Sequence, residues 1–319
     1  MWKSSLYTRP NFWCNDDDTL SHIATVQYEK YFKRHQSTVP EVPAVQIPKV
    51  LHFIWLGSPF PQKYNRMLDS WRLHHPHWEI IIWDDEKAKT FSMTNRGKNI
   101  CIKCDYYRNS DVAILNFSSS FNLANFENAS NFGMKSDIFR YEILYNIGGV
   151  YVDIDYECLK SIDSIVANCE FFVGFSHTEV LEINNGLIGC VRQHDLMNLI
   201  INEISKQAFI TTVFQSNILA ENIAMFMGNS LLPDPAKLLD SNNAVIAQTG
   251  PGLLTGLVYQ YLSVVKDTAC NKSDRDLIVL FPVAFFHPVP NHCIVELETI
   301  NEHTKELKKR GQKVCKKWT

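Results

Sequence analysis

The amino-acid sequence predicts one continuous α/β domain, a sheet with crossover helices, behind a short helical arm. Three observations predict it. Apolar runs at 50–56 and 78–83 end in turn residues or acids, as buried strands do. Helical spacing from Tyr64 to Leu73 separates them, and strand–helix–strand order builds a sheet with crossover helices. The alternation then returns, with apolar runs and amphipathic stretches taking turns as far as residue 281.

Residues 1–45 read as an arm and linker, and 46–319 as the domain. Within the arm, Leu20, Ile23, Tyr28, Tyr31 and Phe32 have roughly helical spacing, with Lys30, Lys33 and Arg34 on the other side. This reads as a helix packed on the body. A membrane-surface or partner-binding helix is the alternative. Pro40, Pro43 and Pro48 then favour extended chain. The stretch 90–131 is rich in Asn and Ser, and helices or loops are expected there. Residues 133–146 read as a helix, with Ser136 as N-cap and Gly148 ending it. Residues 150–154 read as a strand, and further strands are expected at 171–175, 187–191 and 277–281. Amphipathic helices are expected at 196–204, 218–227 and 253–264.

Composition narrows the function classes. Hydrophobic residues make up 45% of the 319, enough for a real core and against disorder. A net charge of -3 leaves no electrostatic footprint for nucleic acid, so no such partner is expected. No apolar run reaches the roughly 18 residues of a membrane span, and the first residues lack the apolar core of a secretory signal. These favour a cytoplasmic protein, with the Golgi or ER lumen the alternative for a fragment. The nine cysteines are an odd, scattered set, unlike a disulfide framework. Cys101 and Cys104 form a CxxC with no second pair nearby, and read as ordinary loop cysteines.

The most informative stretch is 136–155. Asp153 and Asp155 are two apart on, or just past, a strand, so period two would put both carboxylates on one face. Ligands of open α/β sheets bind at the carboxyl ends of strands. Two converging carboxylates there suit a hard cation such as Mg²⁺ or Mn²⁺, and a diphosphate can supply further oxygen ligands. Asp137 and Arg140, three apart on a helix, share a face. They form either a surface ion pair or a clamp on sugar hydroxyls and phosphate, Asp accepting and Arg donating as a fork. Gly148-Gly149 lets the chain turn sharply and brings the two pairs together.

This stretch resembles the signature of the DXD sugar-binding glycosyltransferases, family 32 and its relatives, among them fungal Golgi and inositol-phosphoceramide mannosyltransferases. Glucosylating bacterial toxins carry a related pattern. The opening run Ile47-Pro48-Lys49-Val50-Leu51-His52-Phe53-Ile54-Trp55-Leu56-Gly57 also agrees with the family. So do Ser70, Trp71, Pro76, Trp78, Glu79, Trp83 and Asp84, and, more weakly, Thr249-Gly250-Pro251. The likeness runs from about residue 47 to 290.

The resemblance implies a GT-A type, Rossmann-like nucleotide-sugar-binding domain with a mixed, mostly parallel sheet and flanking helices. It implies a retaining, metal-dependent hexosyl transfer from a nucleotide-diphosphate sugar, GDP-mannose first and a UDP-sugar second, with Mn²⁺ or Mg²⁺ as cofactor. Asp137, Arg140, Asp153 and Asp155 are then the catalytic set. Ile54, Trp55 and Tyr151 join Asp137, Arg140 and Asp153 around the donor. Asp153 and Asp155 hold the metal. Relatives commonly add a C-terminal His ligand near a Trp, whereas this chain has Trp318-Thr319 after a basic tail. His287 is the candidate substitute, with His292 beside it, and ordinary loop histidines are the other reading. Asn185, in Asn184-Asn185-Gly186, is the candidate at the acceptor, with a turn the other reading. The resemblance implies a glycan, lipid or protein acceptor, and peripheral membrane contact is compatible with it.

A haloacid-dehalogenase phosphatase also sets a DxD after a strand, but expects Thr or Val where Glu157 stands. A toxin-like enzyme acting on protein and a degenerate sugar-binding relative are the alternatives that keep the site. His74, His75 and His77 read as a helix-ending loop, and Trp71, Trp78 and Trp83 as core.

Overall fold

The computed structural model describes residues 19–36, 46–87, 100–103, 111–115, 122–129, 131–176, 182–206, 242–268 and 278–287. Helix α1 (Thr19–Gln36) precedes β1 (Val50–Ile54), α2 (Asn65–His74) and β2 (Glu79–Trp83). Strands β3 (Ile100–Lys103) and β4 (Asp111–Leu115) and helix α3 (Leu123–Asn128) follow. Next come α4 (Phe132–Ile147), β5 (Gly149–Val152), the single turn α5 (Asp163–Val166), β6 (Phe171–Phe175), β7 (Ile183–Cys190) and α6 (Asp195–Lys206). The described chain closes with α7 (Asn242–Gln248), α8 (Pro251–Thr268), β8 (Ile278–Phe281) and the turn α9 (Val283–Phe286).

Six strands form one sheet in the order β2-β1-β5-β7-β6-β8. The pairs β1–β2, β1–β5 and β6–β8 are parallel, and β7 is antiparallel to both β5 and β6. Only β7 is reversed, so the sheet is mixed and mostly parallel, as expected of a GT-A type domain. Sheets of this kind are covered on both faces, and their strands are apolar on both sides. Side-chain alternation divides the core accordingly. Val50, Ile54, Tyr151, Phe171, Val173 and Ile188 pack with α4, α6 and α8 on one face. Leu51, Phe53, Val150, Val152, Phe172 and Phe281 pack on the other with Trp71, Trp78, Tyr28 and Tyr31. Trp71, Trp78 and Trp83 are core residues, as expected. Each fully buried large apolar side chain contributes roughly 1.5–3 kcal/mol. Helix α1 lies against β8, the Tyr31 ring 5.1 Å from that of Phe281.

Four expectations are corrected. Strand β5 ends at Val152 and not at Ile154, so Asp153 and Asp155 lie just past it, one of the two placements expected, in a turn that Tyr156 N–H closes by donating to the Asp153 carbonyl at 3.2 Å. Helix α4 starts earlier than expected. Asn131, not Ser136, caps it, its side chain accepting from Met134 N–H at 2.9 Å. Strand β7 begins at Ile183, so Asn184-Asn185-Gly186 lies within a strand instead of a turn. Within 90–131, where helices or loops were expected, β3 and β4 pair antiparallel and Cys101 sits in β3. Cys104, His292, residues 218–227 and the basic tail lie outside the described residues.

Candidate active site

The site starts at the elbow from α4 into β5. Gly148 ends the helix at φ +73°, its N–H donating to the Leu144 carbonyl at 2.8 Å. Gly149 follows at φ +100°. Both values lie where glycine is nearly strain-free and other residues are not. The elbow aims the amino-terminal half of α4 at the carboxyl end of β5, as the glycine pair led one to expect.

Asp137 and Arg140 are not a surface pair. Their side chains retain 8% and 6% of their surface, and Arg140 Nη2 lies 2.9 Å from Asp137 Oδ1. A buried charge must be paired and hydrogen-bonded, and here it is. Asn185 Nδ2 also donates to Asp137 Oδ1, at 2.9 Å, and Thr249 Oγ1 donates to Oδ2, at 3.0 Å. Burial pushes the Asp137 carboxyl above its ordinary range, opposed by Arg140 first and then by Thr249 and Asn185. Burial works against the Arg140 charge, but Tyr151, Asp137 and Asp153 outweigh it and hold the guanidinium protonated. Arg140 also donates to the Asn185 carbonyl at 2.7 Å and lies over the Tyr151 ring, 4.3 Å from its centre.

Arg140 connects this inner pair to the DxD turn. Its Nη1 is 3.5 Å from Asp153 Oδ1, and Tyr151 Oη donates to the same oxygen at 2.5 Å. Asp153 keeps 38% of its side-chain surface, and Asp155 is exposed. Gly186 lies beside the other Asp153 oxygen, where a Cβ would come within 2.5 Å of Oδ2. Asp153 N–H donates to the Gly186 carbonyl at 2.7 Å, which ties the turn to β7. Tyr156 Oη donates to Asn184 Oδ1 at 3.3 Å and meets the His287 ring at 3.0 Å. Burial pushes His287 down to about 4, so its ring is neutral.

The donor-side candidates separate into two settings. Ile54 is a core residue at the end of β1. Trp55 is half-buried, donates to Ser58 Oγ at 3.0 Å, and packs with Phe60 and Tyr64 at centre distances of 6.3 and 5.8 Å. The β1–β5 register pairs Leu51 with Val150 and His52 with Tyr151. Sequence reasoning missed Ser136 as a site residue, although its Oγ accepts from Arg140 Nη2 at 3.3 Å. It also missed Tyr156, Asn184 and Gly186 as partners of the turn, and Thr249 as the partner of Asp137. Thr249 belongs to Thr249-Gly250-Pro251, but nothing in that run points to Asp137. His75 ends α2, accepting from Ile162 N–H at 3.0 Å, as the loop reading requires.

A divalent cation fits the outer half. Asp153 keeps 38% of its side-chain surface, and Asp155, two residues on, is exposed. Among the described residues no set of three His, Cys, Asp or Glu side chains gathers. Mg²⁺ and similar ions are commonly held by one or two carboxylates with phosphate and water completing the shell.

Comparison with known proteins finds a family match and several relatives. The family described as "Glycosyltransferase sugar-binding region containing DXD motif" matches residues 61–172. Inositol phosphoceramide mannosyltransferase 1 of Schizosaccharomyces pombe is 27% identical over 50% of this chain and 44% of its own length. Inositol phosphoceramide mannosyltransferase 2 of the same yeast is 24% identical over 61% of this chain and 50% of its own. Subversion of eukaryotic traffic protein A of Legionella pneumophila is 31% identical over 52% and 26%. The chain thus spans half or less of the length of these curated relatives. Residues 61–172, which hold Asp137, Arg140, Asp153 and Asp155, are thus similar to the DXD-containing sugar-binding region of glycosyltransferases.

Proposed function

We propose that this protein transfers a hexose from a nucleotide-diphosphate sugar to a glycan or lipid acceptor, with retention of configuration and in a metal-dependent manner. One observation carries the reading. An ion-paired network of Asp137, Arg140, Tyr151 and Asp153 lies two residues before an exposed carboxylate, Asp155, in the turn past the carboxyl end of β5. Asp153 and Asp155 would hold Mn²⁺ or Mg²⁺, and the bound ion would neutralise charge on the departing diphosphate. Arg140 adds a fixed positive charge behind that turn. A preorganised charge of this kind favours the transition state without rearrangement. Asp137 holds the guanidinium in place and offers its remaining lone pair to a sugar hydroxyl. The rim of Trp55, Phe60 and Tyr64 offers an aromatic face to a nucleotide base. GDP-mannose is the first donor and a UDP-sugar the second, supported by relatives named as mannosyltransferases. Their names also support an inositol phosphoceramide-like lipid as acceptor. No helix among the described residues is long and apolar enough to cross a membrane.

A second reading is a degenerate relative that binds sugar without transferring it. It is favoured by the near-complete burial of Asp137 and Arg140. One experiment separates the two. Purified protein is mixed with GDP-mannose, UDP-glucose, UDP-galactose or UDP-GlcNAc, each with and without Mn²⁺, and melting temperature and nucleotide release are followed. A Mn²⁺-dependent rise with one donor, together with slow release of its nucleotide, is expected. A rise without release would select the binding-only relative. Neither response from folded protein would overturn both.

A further inference from the structure

His52 is fully buried in β1, and its ring joins three elements. Trp83 Nε1 on β2 donates to its Nδ1 at 3.2 Å, and its Nε2 lies 2.8 Å from the Gly148 carbonyl in the elbow. An indole nitrogen can only donate. Nδ1 is therefore unprotonated, and the proton sits on Nε2, where it donates to Gly148. Burial lowers the imidazole to about 4, in keeping with a neutral ring of one tautomer.

The surroundings are fitted to that ring. A Cβ on Gly149 would stand 3.0 Å from His52 Nε2 and 2.6 Å from the Val50 carbonyl. The elbow therefore closes on β1 to a distance that only glycine allows. The Gly148 carbonyl has left the helical ladder and finds its partner in His52. His52 also faces Tyr151 in the β1–β5 register, and Tyr151 Oη holds Asp153. In the other direction the elbow ends α4, one turn beyond Leu144 and two beyond Arg140.

We infer that His52 is a positioning residue, a neutral imidazole that fixes the Gly148-Gly149 elbow and so sets Arg140 against Asp153. It touches neither donor nor cation. The inference rests on the transferase reading for its kinetic consequence only. Displacing the elbow by a fraction of an ångström alters the 3.5 Å Arg140–Asp153 separation, and geometric error of this kind is costly to catalysis.

The test compares His52→Leu, His52→Gln and a core control, Val173→Ala, on β6, which β7 separates from β5 in the sheet. Two readouts are taken: Mn²⁺-dependent nucleotide release, and amide hydrogen exchange of 148–156. His52→Leu is expected to lower kcat about tenfold or more with donor KM little changed. It should also speed exchange in 148–156 selectively. His52→Gln, which keeps a donor near the Nε2 position, should recover most of both. Val173→Ala should lose stability with kcat and elbow exchange close to wild type. Equal kcat in His52→Leu and the control, or a uniform rise in exchange, would overturn the inference. If wild type releases no nucleotide, the transferase reading fails and the exchange pattern alone decides the role of His52. If His52→Leu does not fold, His52→Asn replaces it. Asn is too short to reach Gly148 and Trp83 together, and should fall well below His52→Gln in both readouts.

Discussion

Asp137 and Asp155 are the same residue type at two ends of one site, and their surroundings are opposite. Asp137 is buried, with Arg140, Asn185 and Thr249 all directed at its carboxylate. Asp155 is exposed at the tip of a turn. Asp153 stands between them, one oxygen committed to Arg140 and Tyr151 and the other close against the Gly186 backbone. The inner acid is part of the fold. On the proposed function, the outer acid serves a ligand. Substitutions at the two ends should therefore separate stability from turnover.

The largest effect is expected at the inner end. Arg140→Met strips the partner from the buried Asp137 carboxylate and leaves Arg140's bond to the Asn185 carbonyl unmade. Breaking a buried pair on one side costs about 3–5 kcal/mol. Urea or thermal unfolding should show a loss of that size, and a midpoint within about 1 °C of wild type would mean the pair is solvated after all. The outer end should behave in reverse. Asp155→Ala should reduce Mn²⁺-dependent nucleotide release at least about 100-fold, which corresponds to about 2.7 kcal/mol of barrier. Its unfolding free energy should stay within about 0.5 kcal/mol of wild type, as for other exposed positions. Turnover close to wild type would remove Asp155 from the metal site.

Thr249→Val sharpens the comparison by touching the inner acid more gently. It removes one donor from Asp137 Oδ2 and keeps the shape of the side chain. Leaving a buried acceptor short of a partner costs about 1–3 kcal/mol. The Asp137–Arg140 contact itself is left in place. Chemical denaturation should find that loss with measurable transfer remaining, and a loss as large as that of Arg140→Met would show the network to be all-or-none.

The two ends were not equally legible in the sequence. β1, β2, β6 and β8 appear as apolar runs because strands buried on both faces need no polar positions, and α4 ends where Gly148 says it should. Spacing was enough to bring Asp137 and Arg140 onto one helical face. Whether that face was wet or dry was not readable, because its cover is Asn185 and Thr249, the latter 112 positions away along the chain. Strand β7 was cut short for a related reason. Asn184-Asn185-Gly186 has turn chemistry, yet Asn185 binds Asp137, and Asn184 Oδ1 accepts from its neighbour Gly186 N–H at 2.6 Å. The pairing β3–β4 lies in a polar stretch with no clean alternation to announce it.

The smallest effect concerns where α4 begins, and it sets a structural cap against a site residue. Ser136 has the sequence of an N-cap but sits inside the helix. Its hydroxyl accepts from Arg140 at 3.3 Å and lies 3.4 Å from Tyr151 Oη. The Tyr151 proton is engaged by Asp153, so the Ser136 hydroxyl donates to Tyr151 Oη and links the inner and outer halves. Asn131 is the residue that caps the helix, and it is exposed. Asn131→Ala should cost about 1 kcal/mol of stability, the usual value of a cap, with kcat unchanged. Ser136→Ala should cost less stability than that and still lower kcat, because it loosens Arg140 and Tyr151 together. Thermal unfolding and nucleotide release on the two variants side by side decide the matter. If Ser136→Ala proves the more destabilising and leaves turnover intact, the hydroxyl serves the helix and not the site.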